Sequence, residues 1–365
     1  METKLLKERK RIMKKRSLGI ILSIAIAGVM LGCGNTSTVS GEETSINADE
    51  AVTVVPEENV AKSDSVVTSE EYTPVTIDNY NITTTYDKKP EKVVCLSLNS
   101  AEIIAALGEA ESIAAIQNGN NRVEDLLPEY AAALKDVEVP DSINTGMPPT
   151  LEAMLELSPD LVAMNGYYFY VPFFGTVEDY QNNSINLYVT EGSYVEQCSI
   201  ENTYNDIRNL GKIFGKENDA ETIVEDMKNR FAAVAEQYKD ADKVDVMAFD
   251  SISEDGLYTV AGGSGLEQEL LEMAGANNVF EDVESDFSTV SIEEIVSRNP
   301  QYIIIHEYTD SENDAQNKIG ALKSMAELSE VDAVKNDNFI AVKMMQITPG
   351  IENTNFVENV AKAIH

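Results

Sequence analysis

The chain contains 365 residues, of which 43% are hydrophobic, enough for about two domains with buried cores. Its formal net charge is −36, and because residues 1–32 hold eight of the 27 basic residues and only two of the 63 acidic ones, the rest of the chain carries −42. A chain this acidic repels phosphates, which excludes nucleic-acid binding.

The amino terminus is typical of an export signal. A basic block at residues 4–16 precedes an apolar run at residues 18–31, which is short for a membrane span and ends in Met-Leu-Gly-Cys at Cys33. This ending resembles the lipobox of bacterial lipoproteins, which implies cleavage before Cys33 and a lipid anchor on its sulfur at the extracytoplasmic face of the bacterial cell membrane. The alternative is an uncleaved anchor with an incidental cysteine, which also leaves the rest of the chain outside the cytoplasm.

Behind the predicted signal peptide at residues 1–32, residues 33–72 are rich in Ser, Thr, Glu and Val without a helical period, which predicts a disordered tether. Runs rich in Thr and Tyr between residues 72 and 89 predict an edge hairpin. From residue 93 onward, short apolar runs are each followed by a polar or aromatic loop, as in parallel sheets that bind ligands at the carboxyl ends of their strands. The predicted strands are residues 93–98, 112–116, 161–164, 186–189, 244–249, 257–260, 302–305 and 339–342.

A long helix divides this series of strands. Between residues 218 and 240, apolar side chains recur at steps of three and four, which predicts one buried helical face over about six turns. Asn218 and Glu221 have the spacing of a capping box, and Gly215 marks the end of the preceding helix.

The segments on either side of this helix are similar. Residues 150–164 contain an N-cap, a short helix, a proline stop and a buried strand, and residues 291–305 repeat that order. The sequence therefore predicts an α/β fold with an N-terminal lobe at residues 73–215, a connecting helix at residues 216–241 and a C-terminal lobe at residues 242–365.

Few residues could carry catalytic chemistry. The histidines are His306 and the terminal His365, and there is no CxxC motif or zinc-type spacing, so no enzyme activity and no cofactor are predicted. His306 follows a predicted strand at the presumed cleft, which leaves open whether it is a hydrogen-bonded structural residue or a ligand. Cys95 lies in an apolar strand and is expected to be buried, while a disulfide with Cys198 is left open.

Two further features point to binding. Residues 166–174 contain six aromatic residues, about half expected in the core, and such a loop suits a large, flat, partly apolar ligand. Glu152 and Glu293 occupy equivalent places in the repeat, where each stabilises the positive end of a helix dipole by about 0.3 to 1 kcal/mol. Two acids at matching sites of two lobes also predict paired docking points for a partner with two basic patches.

Four segments together resemble the iron-complex and vitamin B12 solute-binding proteins of ABC importers. They are residues 92–108 (KVVCLSLNSAEIIAALG), 150–164 (TLEAMLELSPDLVAM), 291–305 and the tail Thr348-Pro349-Gly350, and the resemblance covers about residues 75 to 365. It implies the class III arrangement, in which two Rossmann-like lobes are joined by one long backbone helix, with the ligand in the cleft and little hinge motion.

The same resemblance implies a monomeric receptor that captures an iron complex, either a siderophore or haem, and delivers it to a membrane permease. A corrinoid such as cobalamin is the alternative ligand within the family. The resemblance also implies that Glu152 and Glu293 pair with permease arginines.

The resemblance places the ligand contacts less directly. The B12-binding members carry aromatic residues where this chain has Gly146 and Asn165, and a tryptophan where it has Phe287. Two of the three aromatic contacts are therefore absent, and Tyr167, Tyr168 and Phe287 are expected to replace them. The candidate ligand-binding residues are Asn118, Met147, Asn165, Tyr167, Tyr168, Phe287, His306, Tyr308 and Met345, with His306 or Tyr167 as the axial ligand if the ligand is haem.

The small number of arginines limits the class of ligand that the cleft can bind. Four arginines follow Cys33, and of these Arg122 alone lies near a predicted cleft loop. A neutral hydroxamate, haem or corrinoid therefore suits the chain better than an anionic tris-catecholate. Two other classes of function remain as alternatives: a surface metal-dependent hydrolase that uses His306 and Glu307, and a sensor that binds the ligand without delivering it.

Overall fold

The computed structural model describes residues 72–119, 121–145, 147–253, 255–308 and 314–365. The predicted signal peptide, Cys33, the tether up to residue 71 and Gly146 lie outside the described residues.

The N-terminal half contains a hairpin and a parallel sheet. Strands β1 (Val75–Asn79) and β2 (Ile82–Tyr86) pair antiparallel, as predicted for this region. The sheet has the order β4-β3-β5-β6. Its strands are β3 (Val93–Cys95), β4 (Ile113–Ile116), β5 (Leu161–Met164) and β6 (Asn186–Val189). They are almost entirely buried, which explains their continuous apolar sequences.

The amide of Asn79 attaches the hairpin to this sheet. Its Nδ2 donates to the carbonyl of Val189 at 2.8 Å, and its Oδ1 accepts from the Val189 amide at 2.7 Å. The side chain thereby satisfies backbone groups at the open edge of β6 as a neighbouring strand would.

Five helices accompany the N-terminal sheet. They are α1 (Leu98–Ala106), α2 (Pro128–Leu134), α3 (Leu151–Leu157), α4 (Val177–Asn182) and α5 (Ile200–Phe214).

The predicted long helix is α6 (Glu217–Gln237), which lies within the predicted residues 216–241. Gly215 ends α5 with a φ of +66°, as predicted. The predicted capping box of Asn218 and Glu221 is wrong, because Asn218 lies inside the first turn. Glu221 instead accepts from the guanidinium of Arg208 at 2.8 Å.

The second sheet is mixed and has the order β10-β8-β7-β11-β12, with β9 also paired to β7. Its strands are β7 (Val244–Ile252), β8 (Tyr258–Ala261), β9 (Ala276–Asn278), β10 (Phe287–Val290), β11 (Tyr302–Glu307) and β12 (Phe339–Lys343). Strand β8 runs antiparallel to both β7 and β10. Its helices are α7 (Leu266–Met273), α8 (Ile292–Arg298), α9 (Asp314–Ser324), α10 (Asp332–Lys335), α11 (Met344–Ile347) and α12 (Asn353–Ile364).

The predicted repeat is present in the structure. Helix α3 starts at the N-cap Thr150 and α8 at the N-cap Ser291, and each side-chain oxygen accepts from a backbone amide three residues on. Each helix ends in a left-handed residue, Ser158 at φ +47° and Asn299 at φ +45°, and a proline then leads into a central strand.

One apolar core runs through both sheets. A single cluster of buried side chains includes Val93 of β3, Val224 of α6, Val246 of β7 and Val357 of α12. The described residues form one compact unit, so the lobe boundaries at residues 215 and 242 stay predictions. None of the helices in the described part of the chain combines the length and the apolar character that a membrane crossing requires.

Candidate ligand-binding cleft

The carboxyl ends of the two sheets meet at Lys343, the last residue of β12. Its Nζ lies 3.1 Å from Oε2 of Glu307, at the end of β11. The same nitrogen lies 3.3 Å from Oδ1 of Asp125, in the loop region that follows β4. The strand ends at which parallel sheets bind ligands therefore face one shared boundary, as the sequence predicts.

On the N-terminal side, Gln117 organises the wall from its place directly after β4. Its Nε2 donates to the carbonyls of Ile143 at 2.5 Å and Met147 at 3.1 Å. Its Oε1 lies 2.5 Å from the hydroxyl of Tyr168, which also lies 2.9 Å from the Leu96 carbonyl. Burial raises the pKa of Tyr168 well above the ordinary tyrosine value, so this hydroxyl stays protonated.

Tyr168 is therefore the buried residue that supports this wall. It is 4% exposed, and the ring of Tyr167 stacks on it with 4.6 Å between centroids and 21° between planes. Tyr167 is half-buried and is the outer ring of the pair. Of the two tyrosines predicted to contact ligand, Tyr167 is the more exposed and Tyr168 lies beneath it.

Polar groups stand beside these rings. Asn165 is half-buried, and its Oδ1 accepts from the Thr190 hydroxyl at 2.5 Å. The backbone amide of Asn118 donates to Asn144 Oδ1 at 3.2 Å. The Asn118 Oδ1 atom is buried and has no hydrogen-bond partner within the described residues. A buried acceptor of this kind gains most from a ligand that carries an N–H or O–H group.

On the C-terminal side, His306 lies inside β11 and is fully buried. Its Nε2 lies 2.7 Å from Oε1 of Glu267, and its Nδ1 lies 3.5 Å from Oδ1 of Asp250. The ring of Phe287 meets the imidazole edge-on at 5.9 Å between centroids.

The two carboxylates fix the charge of this histidine. Burial alone would lower the pKa of His306, but Glu267 and Asp250 outweigh it and raise the pKa to about 9. Burial likewise raises the pKa of Asp250, and the nearby charge of His306 together with the hydrogen bond from Tyr308 outweighs it and lowers the pKa to about 2. His306 is fully buried and both of its ring nitrogens face carboxylates, so the structure favours the structural role of His306 that the sequence left open.

Tyr308 is half-buried where β11 ends. Its hydroxyl donates to Asp250, and Lys318 Nζ lies 4.3 Å from the centre of its ring. The same ammonium donates to the carbonyl of His306 at 2.6 Å and pairs with Asp314 at 3.2 Å. Tyr308 is therefore held in one orientation at the boundary.

Met345 lies in the seam between the two sheets. It is 3% exposed, its amide donates to Asn121 Oδ1 at 3.0 Å, and its carbonyl accepts from Asn99 Nδ2 at 2.9 Å. Met345, predicted as a ligand-binding residue, thus makes backbone contacts to the N-terminal half, whereas Met147 is 47% exposed.

Metal-binding and disulfide chemistry can be compared with the predictions. Among the described residues, no group of three or more His, Cys, Asp and Glu side chains is arranged to hold a metal ion. The hydrolase alternative requires such a group around His306 and Glu307. Cys95 is a buried free thiol, so it forms no disulfide with Cys198, the pairing that the sequence left open, and burial raises its pKa.

Glu152 and Glu293 occupy the second position of α3 and of α8, respectively, and both are exposed. Their equivalence in the repeat is therefore also an equivalence in structure.

The sequence did not single out several residues that organise this region: Asn99, Gln117, Asp250, Glu267 and Lys343. The available signal was a polar side chain within or directly after an apolar strand, as at Gln117 after Ile-Ala-Ala-Ile and Asp250 after Val-Met-Ala-Phe. Burying such a group is costly without a partner, so its position implies a network.

Comparison with known proteins provides evidence that is independent of the site geometry. A model of the family described as periplasmic binding protein matches residues 93–344. The chain is 25% identical over 253 residues to the vitamin B12-binding protein of Vibrio parahaemolyticus, which covers 64% of this chain and 78% of that protein. It is 24% identical over 242 residues to the Fe(3+) dicitrate-binding periplasmic protein FecB of Escherichia coli, which covers 64% of this chain and 72% of that protein.

Coverage differs among the relatives. The match to the cobalamin-binding protein of Halobacterium salinarum is 25% identical over 235 residues, and it covers 62% of this chain but only 57% of that longer protein. The crystal structure of a periplasmic binding protein from Veillonella parvula superposes with a TM-score of 0.69 at 26% identity, covering 80% of this chain and 97% of that one.

Proposed function

The chain belongs to the periplasmic binding protein family and has its class III fold, and from that premise we propose that it is the extracytoplasmic receptor of an ABC importer. It captures an iron complex or a corrinoid and delivers it to a membrane permease. The observation that carries this proposal is the ion pairing of Lys343 with Asp125 of the N-terminal half and with Glu307 at the end of β11, which joins the ligand-binding edges of the two sheets.

The charges at this boundary limit the net charge that a bound ligand can carry. Lys343 is paired with Asp125 and Glu307, and Lys318 is paired with Asp314, so these ammonium groups are already neutralised. An anionic chelate would meet carboxylates there and gain little from the lysines. We infer a bulky chelate without net negative charge, such as a ferric hydroxamate.

Haem fits less well than a hydroxamate. Its propionates are anionic, and the protonated His306 offers no axial nitrogen. Tyr167, outermost in the aromatic pair, is the remaining candidate for an axial ligand.

A corrinoid is the second candidate, because the ring is large and bears neutral amide groups. Asn118 Oδ1, buried without a partner among the described residues, suits a ligand N–H. Two relatives are named for vitamin B12 or cobalamin binding, at 25% identity.

Delivery needs a docking surface and a membrane location. We assign docking to Glu152 and Glu293, which face solvent from equivalent helices and would pair with two basic groups of the permease. We assign lipid attachment to Cys33, behind a signal peptide at residues 1–32, with the receptor acting as a monomer.

The test is equilibrium dialysis of the chain from residue 34 onward against a ferric trihydroxamate, a ferric tris-catecholate, haem and cyanocobalamin. We expect submicromolar binding of the hydroxamate or of cobalamin, and a loss of at least tenfold in affinity in Tyr167→Ala. The matched control is Tyr302→Ala, the same truncation at the amino end of β11, away from the cleft. Absence of binding to all four probes would refute the proposal.

A further inference from the structure

Three large apolar side chains are exposed in the described part of the chain: Met147 at 47%, Phe173 at 46% and Val296 at 41%. Single exposed apolar residues are ordinary on protein surfaces. These three are unusual in their placement, because each lies on or directly beside one of the two equivalent helices that carry Glu152 and Glu293.

On the N-terminal lobe, Met147 and Phe173 flank the start of α3. Met147 lies three residues before the N-cap Thr150, and Gln117 fixes its carbonyl at 3.1 Å. Phe173 lies two residues before Gly175, where an added Cβ would stand 3.3 Å from both terminal methyls of Leu151. Leu151 directly precedes Glu152, so Phe173 belongs to the region around this glutamate.

On the C-terminal lobe, Val296 lies three residues after Glu293 on α8. Residues three apart lie on the same face of a helix, so the valine and the glutamate are neighbours on the surface. The next residue towards the core, Ile295, is fully buried and anchors the helix. Val296 is therefore a fixed apolar group beside the acid.

We propose that Phe173 and Val296 are the apolar part of the permease-docking surface, beside the acids Glu152 and Glu293, whereas Met147 belongs with the cleft wall that Gln117 organises. This inference rests on the proposed function and deepens it. The partner it describes is a membrane permease whose outer face presents, for each lobe, a basic group with an adjacent apolar depression. Exposed ion pairs orient two proteins and speed their encounter but add little affinity, whereas buried apolar area supplies it.

A bilayer surface is a poorer occupant for these side chains. Each apolar group lies next to a glutamate, and the chain beyond residue 32 is strongly acidic. Anionic lipid headgroups would repel that surface.

The test compares three variants of the full chain that replace it in its own cells: the apolar double F173S/V296S, the acidic double E152Q/E293Q, and the control Tyr238→Ser. Tyr238 is half-buried at the end of α6, which leads to the amino end of β7. The readout is the maximal uptake rate, at low and at high salt, of the radiolabelled chelate that dialysis identifies.

We expect the apolar double variant to lose at least tenfold in maximal uptake, with affinity for the chelate within twofold of wild type. Its remaining uptake should keep the salt dependence of wild type, because the ion pairs persist. The acidic double variant should be slow and independent of salt. Wild-type uptake in the apolar double variant would overturn the inference while leaving the receptor function intact, and so would a loss of chelate affinity, which would place these residues in the ligand site.

A second measurement does not depend on the chelate. The photoreactive residue p-benzoylphenylalanine at position 173 or 296 should cross-link to a membrane-spanning importer subunit in cells, and the same residue at position 238 should not. Cross-links to lipid, or equal cross-linking from all three positions, would overturn the inference even if the chelate binds. Failure of the dialysis experiment with importer cross-links intact would instead refute the proposed ligands alone.

Discussion

At the scale of single residues, the buried His306 is the clearest case of a chemical group used for structure. It carries a positive charge between Glu267 and Asp250 at the centre of the C-terminal sheet. Taking one of these charges away would leave the others unpaired in a medium where an unpaired charge is expensive. The cluster therefore favours one arrangement of β7, β11 and α7, the elements that carry its members.

The same cluster predicts how stability depends on pH. The folded-state pKa of His306, about 9, lies above its ordinary value of 6.5, so its contribution is complete below pH 6.5 and is lost as pH rises through about 9. The folded-state pKa of Asp250, about 2, lies below its ordinary 3.8, so its contribution is present above pH 3.8 and is lost as pH falls through about 2. At 1.36 kcal/mol per pKa unit, the histidine contribution is on the order of 3 kcal/mol.

Urea unfolding at pH 6, 7.5 and 9 checks this prediction against the variant Glu267→Gln, which removes one acid from the histidine. We expect wild type to lose more stability than the variant between pH 6.5 and 9, because the lowered pKa of His306 in the variant moves the transition to lower pH. The difference between the two proteins is the informative quantity, since burial raises the pKa of Asp206 to about 8 and this group titrates in the same range in both. Parallel pH profiles would contradict the assigned charge of His306.

At the scale of elements, the repeat of α3 and α8 could be predicted from the sequence because every feature that defines it is local in the chain. A capping hydroxyl, a short apolar period, a left-handed residue and a proline follow each other within 11 residues of Thr150 and of Ser291. Such signals depend only on backbone groups of the same turn. The strands that follow were readable because they are buried on both faces and continuously apolar.

Secondary-structure elements that form through contacts with distant segments of the chain could not be predicted from the sequence. Strand β9 has the sequence Ala-Asn-Asn, which has little intrinsic preference for a strand, and it forms because Val244 of β7 lies opposite Ala276. The capping box predicted at Glu221 failed for a related reason, since Arg208 of the preceding helix binds that carboxylate.

The candidate site likewise contains residues whose positions could be predicted from the sequence and residues whose positions could not. Tyr167, Asn118 and Asn165 follow strands directly, so their place at the carboxyl edge could be predicted from topology. The burial of His306 could not, because it depends on Glu267, 39 positions away in the chain.

The caps of the repeated helices give a prediction at this scale. Ser291→Ala and Thr150→Ala should each lower the free energy of unfolding by about 1 kcal/mol, because each removes an acceptor from the first turn. Ser297→Ala, in the last turn of α8 and exposed, is the matched control and should change stability by less than about 0.5 kcal/mol. Urea midpoints provide the measurement, and equal effects at positions 291 and 297 would refute the assigned role of the cap.

At the scale of the whole molecule, the two sheets are joined by more than the long helix. The segment after β12 is bound into the N-terminal half. Asn99 Nδ2 donates to the Met345 carbonyl, Asn121 accepts from the Met345 amide, and Thr203 donates to Asn353 at 3.2 Å. Separating the lobes would break these bonds and expose a core that both share. These contacts oppose a change in the width of the cleft.

Gly350 lies where this seam is tightest. A Cβ at position 350 would collide with the side-chain amide of Asn99, whose own Cβ would still stand only 3.0 Å away. We therefore expect Gly350→Ala to cost about 1–3 kcal/mol of stability, the usual range for overpacking a close contact. Gly320→Ala in α9 is the matched control, because nothing lies within 4 Å of an added Cβ there, and the change should be neutral or stabilising.

A double-mutant cycle separates this collision from a general intolerance of the turn. Asn99→Ala removes the amide that Gly350→Ala would strike, so the second substitution should cost at least about 1 kcal/mol less in the Asn99→Ala background than in wild type, measured by urea unfolding. Asn99→Ala alone also loses the bond to Met345, and should lower chelate affinity if that bond sets the spacing of the two walls. If the losses of stability from the two substitutions simply add, Gly350 is required by the conformation of its own turn and not by its contact with Asn99. The Thr-Pro-Gly tail would then serve that turn and not the contact between the two halves.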